Sequence, residues 1–190
     1  ISIDYVPTLE AAHNAIAHIV SCYPEPYTLM CSGGRDSQAM IWAWYTSKKP
    51  FNVVSFKYVT NGIWYNEHDL NNLVRFSCKH GISVNFREFD VINFLDSGQV
   101  FETSKENDCF SPQICTHIKF TEQVAHGTVV FSGNTLRHRT KQPISYEILG
   151  IQRYSRIRPN IIPFFFMHTP ELAYSNLFVK HEDEYSSFDI

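Results

Sequence analysis

The sequence predicts an α/β domain of three layers, with helices on both faces of a mainly parallel, five-stranded sheet. Three observations predict it. Strand-like and helix-like segments alternate from Tyr27 to Ser132, so that a helix separates each strand from the next up to the fourth. That order calls for parallel strands covered on both faces. Two of the strand segments, Tyr27–Cys31 and Phe51–Tyr58, are nearly unbroken runs of apolar and β-prone residues, as buried parallel strands are. The first of them empties through paired glycines into a helix, and such sheets bind ligands beyond their strand C-termini.

Taken in order, Thr8 is a candidate cap for a first helix that carries Leu9, Ala12, Ile16, Ile19 and Val20 along one side. Pro24 and Pro26 stop it before the Tyr27 strand. The helix after the glycines places Met40, Ile41, Trp44 and Tyr45 on one broad face, and Trp42 and Ala43 extend its apolar surface almost all round. After the Phe51–Tyr58 strand, Thr60-Asn61-Gly62 turns the chain. A helix from Asn66 to His80 puts Leu70, Leu73, Val74 and Ser77 together and ends at Gly81 as its C-cap. Ile82, Val84 and Phe86 alternate with polar residues as a strand does.

Periodicity vanishes from Asp96 to Ser111, which predicts a long surface loop. Pro112 opens a helix to about His126, and Thr128–Ser132 is the fourth strand, ending at Gly133. Residues 134–154 fit no single element. Ile157–Phe166 reads as the last strand, kinked or at an edge because of Pro159 and Pro163. Thr169-Pro170-Glu171 starts a short helix with a Thr cap and a proline at its first position.

With 190 residues, 44% of them hydrophobic and 15% aromatic, the chain holds enough apolar material for one core. One domain is expected over residues 1–180, followed by an acidic tail, 181–190, with Glu182, Asp183, Glu184 and Asp189 and no Lys or Arg. Five cysteines without a CxxC pair point away from a secreted disulfide framework and toward a reducing compartment. No signal peptide or membrane-length apolar run is visible, so the expectation is a soluble, cytoplasmic protein without a membrane partner. A net charge of −3 hides one basic stretch: Arg137, Arg139, Lys141, Arg153, Arg156 and Arg158 against the single acid Glu147.

Chemistry is concentrated in Ser32-Gly33-Gly34-Arg35-Asp36-Ser37, between the first strand and its helix. Glycines let backbone approach a ligand, and the first N–H groups of a helix have no intrahelical partner and face an anion together with the positive end of the dipole. Ser32 and Ser37 add hydroxyl donors and Arg35 a cation, whose alternative role is a solvated surface residue. Asp36 reads either as a ligand for a divalent metal joined to a polyphosphate or as an acid stabilised by the helix dipole. Neither GxGxxG nor the Walker A pattern occurs.

The turn SGGRDS resembles the SGGxDS pyrophosphate loop of the N-type ATP pyrophosphatases, the PP-loop superfamily, and the resemblance extends over roughly residues 8–178. It implies a Rossmann-like fold of the adenine nucleotide alpha hydrolase type, with ATP and Mg2+ as ligands. It implies backbone contacts to the adenine from the end of the second strand at Val54, Ser55 and Phe56, and closure of the nucleotide site by the later strand end, through Gly133 and Asn134. Arg158-Pro159 with Pro163 is similar to a late family motif, whereas His168-Thr169-Pro170-Glu171 departs from it by lacking the usual Lys. Thr60-Asn61-Gly62 with Glu67, Cys115 with Lys119, and Ser132-Gly133 leading to Arg137 and Arg139 resemble stretches of the phosphoadenylylsulfate reductase-like branch. No C-terminal cysteine of the reductase kind is present.

The resemblance implies cleavage of ATP between its α- and β-phosphates, adenylylation of an acceptor, and release of pyrophosphate and later AMP. Catalysis then falls to Asp36, Arg35 and Arg137, positioning and neutralising charge. Arg137-His138-Arg139-Lys141 reads as an acceptor or α-phosphate contact, an RNA-phosphate contact, or a solvated surface, with nucleic acid not favoured for an acidic chain. The acceptor is a small carboxylate, an amide or a nucleobase carbonyl, and a partner chain or a second copy is expected to complete its site. Cys109 and Cys115, with His117, read as sulfur carriers, metal ligands or core residues. The alternatives are a nucleotide-binding or structural subunit that keeps the loop without turnover, and a sulfonucleotide reductase-like protein.

Overall fold

The computed structural model describes residues 6–109, 111–133 and 159–178. Its elements are α1 (Thr8–Cys22), β1 (Tyr27–Met30), α2 (Arg35–Ser47), β2 (Asn52–Thr60), β3 (Ile63–Trp64), α3 (Glu67–His80) and β4 (Val84–Phe89). There follow α4 (Val91–Asp96), α5 (Gln99–Glu106), α6 (Pro112–Glu122), β5 (Thr128–Phe131), β6 (Ile161–Ile162), a 3-10 turn (Phe165–Met167) and α7 (Pro170–Phe178). Five strands run parallel in the order β4-β2-β1-β5-β6, as the alternation of elements requires. Leu29 of β1 sits in register between Val53 of β2 and Val130 of β5. The two-residue β3 folds back antiparallel onto the end of β2, pairing Val59 with Trp64.

Each face of the sheet has its own core. Tyr27, Leu29, Val53, Val130 and Ile162 face α1, α2, α3 and α7, where Ile16, Ile19, Met40, Trp44, Leu73 and Leu172 are buried. Met30, Val54, Phe56, Val129 and Phe131 point the other way, toward Phe120 of α6 and Val124. The odd–even alternation along β1 therefore serves two layers, and none of its four residues is exposed. Alanines 11, 12 and 15 let α1 come close to its neighbours, and Thr8 and Ser175 join α1 to α7 by a 2.8 Å hydroxyl–hydroxyl hydrogen bond.

Several expectations need correction. Thr8 does not cap α1: Pro7 holds the cap position without a side-chain bond, and the Thr8 hydroxyl is directed to Ser175. The stretch from Asp96 to Ser111 is not a continuous loop, since α5 forms within it with Val100 and Thr103 buried. Its apolar side is too narrow to register as a period. Asp90 caps the preceding α4 by accepting from the Asn93 N–H at 2.9 Å. β4 starts at Val84 rather than Ile82, because the Ile82 N–H closes the end of α3 on the Ser77 carbonyl. The last strand is shorter than predicted among the described residues: Ile161–Ile162 pairs with β5 and Pro163 stops it. Among the described residues no helix is long and apolar enough to cross a membrane.

Trp44 is wholly buried and lies 5.3 Å from the Tyr27 ring, and among the described residues its indole N–H has no hydrogen-bond partner. Trp44→Ala is expected to cost about 3–5 kcal/mol in urea unfolding. Trp44→Phe is expected to cost clearly less, because it also removes an unsatisfied buried donor.

Candidate functional site

The order in which strands are added to the sheet reverses between β1 and β5: the path runs outward from β1 through β2 to β4, then crosses back to β5 and β6. At such a switch point the connections after the two central strands diverge and leave a crevice. Both are present here, Ser32–Gly34 after β1 and Ser132–Gly133 after β5. They open onto one cleft of about 690 Å³.

The turn after β1 is fixed from three directions. The Ser55 hydroxyl of β2 donates to the Cys31 carbonyl at 2.6 Å, and the Cys31 N–H donates to the Val54 carbonyl at 2.9 Å. The Gln38 side chain of α2 donates to the Gly33 carbonyl at 2.8 Å. Gly33 has φ +93°, and a Cβ there would stand 2.0 Å from the Asp69 carbonyl oxygen of α3. Only glycine meets both conditions. Gly34 then occupies the cap position of α2 and has no side chain to offer its first N–H groups. Its first turn therefore faces the cleft as an anion-attracting end.

Ser32 and Ser37 do not both point outward. Their hydroxyls bond to each other at 3.0 Å, and the buried Ser37 oxygen also accepts from the Ser32 N–H at 3.2 Å. Asp36 and Arg35, in the first turn of α2, line the same cleft, Asp36 half-buried and Arg35 exposed. A carboxylate in the first turn of a helix, beside two hydroxyls, suits a divalent cation shared with a polyphosphate.

Of the remaining predicted contacts, Phe56 and Gly133 line the cleft, whereas Val54 and Ser55 do not; both are buried at the β1–β2 junction, where they hold the turn. Asn134, Arg137, Arg139 and Lys141 lie outside the described residues. Cys109 and Cys115 are buried with Phe94 and Val100 beneath α4–α6. Desolvation and the neighbouring Cys109 raise the Cys115 thiol to about 11. His117 is turned instead toward Phe131 in the cleft, and among the described residues no group of three His, Cys, Asp or Glu side chains is placed to hold a metal alone. Cys31 reaches the cleft, and burial pushes its thiol well above the usual range, so it is no nucleophile.

Sequence reasoning missed a wall of rings. Phe120 stacks on Phe56 at 3.8 Å between centroids, with planes 7° apart, and Tyr58 lies 6.0 Å from Phe120. His117 stacks on Phe131 at 5.0 Å and 24°. Phe164 packs on Gly133, whose φ of +67° and missing Cβ leave room for that ring. The signal was available only in part: Phe120 and His117 are three apart on one helix face, but nothing in the sequence shows which strands that face meets. Asn66 was likewise read only as a helix start. Its carboxamide bridges β2, accepting from the Tyr58 N–H at 2.9 Å and donating to the Phe56 carbonyl at 2.8 Å.

No protein-family model matches this sequence, and no curated protein sequence matches it. Among solved structures, the chain is similar to an NH3-dependent NAD synthetase from Campylobacter jejuni subsp. jejuni NCTC 11168, in complex with nitrate. The TM-score is 0.45 and the identity 11%, over 67% of this chain and 56% of that one. It is also similar to an NMN synthetase from Francisella tularensis, with TM-score 0.43 and 14% identity, over 67% of this chain and 54% of that one. The chain thus spans about half the length of either protein.

Gly33→Ala should disturb both the positive φ and the contact with Asp69, costing about 1–3 kcal/mol from backbone strain alone in thermal or urea unfolding. Gly34→Ala has a nearest neighbour at 3.6 Å and is expected to fold normally. Burial lowers the His117 imidazole from 6.5 to about 4, so the unfolded chain binds the proton more readily between those values. Stability is therefore expected to fall as pH drops from 6.5 toward 4, and His117→Leu should flatten that slope in unfolding midpoints measured across the range.

Proposed function

We propose that this chain is an ATP-utilising enzyme of the PP-loop type, which holds the β- and γ-phosphates in the Ser32–Ser37 turn and adenylylates an acceptor. The observation that carries the reading is the turn itself. A glycine-built bend leading into the start of a helix opens into a cleft at the switch point of a parallel sheet. The SGGRDS sequence and this placement support the same ligand independently.

On this reading the N–H groups of Gly33 to Ser37 and the hydroxyls of Ser32 and Ser37 bind the outer phosphates. Arg35 contributes positive charge at the rim. The α-phosphorus faces the cleft, where an acceptor oxygen attacks in line; the bond to the β-phosphate breaks, and pyrophosphate leaves with the electron pair. Mg2+ bound with the nucleotide would neutralise phosphate charge, and Asp36 is the residue placed to hold it. Phe56 borders the adenosine, with backbone contacts to the adenine at Val54 and Ser55 carried over from the family resemblance; Gly133 and Asn134 close the site, and Arg137 meets the α-phosphate or the acceptor. Release of AMP to a second nucleophile completes the reaction, in the cytoplasm, with a second copy or a partner chain completing the acceptor site.

Pyrophosphate release from ATP, followed with a panel of carboxylate, amide and nucleobase acceptors, tests the reading. Asp36→Ala is expected to lower the rate by at least about 100-fold while leaving the unfolding midpoint near that of the parent. ATP binding that never yields pyrophosphate across the panel would replace this enzyme with a non-catalytic nucleotide-binding subunit.

A further inference from the structure

At the other end of β1 from the cleft, where α1 closes, three side chains from two elements form a line of contacts that the proposed reaction does not use. Cys22 is the last residue of α1, and His18 stands one turn before it. The Cys22 Sγ lies 3.6 Å from His18 Nε2. On the far side of the same ring, His18 Nδ1 lies 3.0 Å from Nε2 of His168, which follows the 3-10 turn ahead of α7. His168 opens the His168-Thr169-Pro170-Glu171 stretch, where the sequence departs from the late family motif. We propose that Cys22 is a thiol-modification site that attacks low-molecular-weight disulfides, with His18 as its general base and His168 as the residue that positions His18.

A thiol, a base within reach of it and a third group that orients the base are the parts by which a weak nucleophile is activated. Spacing of four on a helix places Cys22 and His18 on one face, and both are exposed, so a small disulfide can reach the sulfur. His168 is half-buried and held: its N–H donates to the Phe165 carbonyl at 3.0 Å, and its ring meets Tyr23 edge-on at 6.0 Å. Burial, and then the neighbouring His18, lower the His168 imidazole to about 4, so at pH 7 it is neutral and has a lone pair to offer. When His18 takes the thiol proton both its nitrogens donate, Nε2–H to the thiolate and Nδ1–H to His168 Nε2. The negative end of the α1 dipole opposes a bare thiolate and favours a cation on His18, so the reactive form is the pair. The step balances: the Cys22 proton passes to His18 Nε2, the sulfur bonds to one sulfur of the disulfide, and the disulfide's own S–S bond breaks. The departing thiolate leaves with that electron pair and takes the proton from His18. Cys22 is oxidised to a mixed disulfide while the other half of the reagent is reduced to a thiol, and excess thiol reverses the exchange.

Cys78 provides an internal comparison. It too is exposed and lies in the last turn of a helix, α3, and among the described residues no histidine bonds to its sulfur. The chain is treated with oxidised glutathione at pH 7 and quenched with N-ethylmaleimide, and the mixed disulfide at each cysteine is followed by peptide mass spectrometry. The same reaction in urea gives the rate of each thiol in the unfolded chain. Cys22 is expected to react about 10-fold or more faster than Cys78 when folded, the low side of what a positioned base supplies, and at a similar rate in urea. His18→Gln is expected to remove that advantage and to leave the unfolding midpoint near the parent's, because His18 is exposed. His168→Leu is expected to slow Cys22 by about 5-fold, the worth of one hydrogen bond. His168→Gln, whose amide oxygen can still accept the His18 Nδ1–H, is expected to keep most of the rate, which a purely packing role for His168 would not give. His168→Met replaces His168→Leu should that variant not fold. Equal folded-state rates at Cys22 and Cys78, or an advantage that survives His18→Gln, overturns the proposal. Equal rates with Leu (or Met) and Gln at position 168 overturn the part assigned to His168.

Discussion

The close approach of Gly33 to the Asp69 carbonyl is the contact on which the site depends. It presses the β1–α2 turn against α3, at a place where any side chain would collide with backbone. Two further bonds hold the turn from the remaining sides, Ser55 on the last carbonyl of the β1 segment and Gln38 on the carbonyl of Gly33 itself. The proposed phosphate-binding role requires a bend that presents its N–H groups in fixed directions, since donors that reorganise on binding lose much of their electrostatic value. Here rigidity comes from neighbours in three separate elements rather than from the bend's own sequence.

The sheet explains why that bend can face a ligand at all. β1 is central and buried on both faces, so its C-terminal end is anchored by two cores packed in opposite directions. The departure of the chain toward β2 on one side and its return at β5 on the other leave the crevice that becomes the cleft. Polar groups gather where helix α2 begins, and rings gather where α6 crosses the sheet. One architecture thus delivers two chemical environments within a single cavity.

How much of this was legible in the sequence depends on range. Local signals succeeded: the paired glycines at 33 and 34, Gly81 as a left-handed cap, and Thr169 accepting from the Leu172 N–H all appear as read. Parallel order was legible because helices stand between the strands. What the sequence does not carry is who meets whom. Thr8 looked like a cap until its partner Ser175, 167 positions away, was in view. Ser55 was read for its backbone, and its buried hydroxyl also holds the turn by donating to the Cys31 carbonyl. The stacked pairs Phe56–Phe120 and His117–Phe131 join residues from different strands and one helix, and no spacing rule announces them.

The hydroxyl bond between Thr8 and Ser175 has a consequence for biosynthesis. One layer of the domain is bounded by its first and last described helices, and Phe165, Phe166 and Leu172 are needed to finish the core that begins at Ala11. During translation α1 emerges with an apolar face whose permanent neighbours have not yet been made. Long-range closure of this kind is slow and leaves greasy surface open in the meantime. The apolar face of α1 is therefore left without its full set of neighbours until the segment around Leu172 has been made and has folded back onto it.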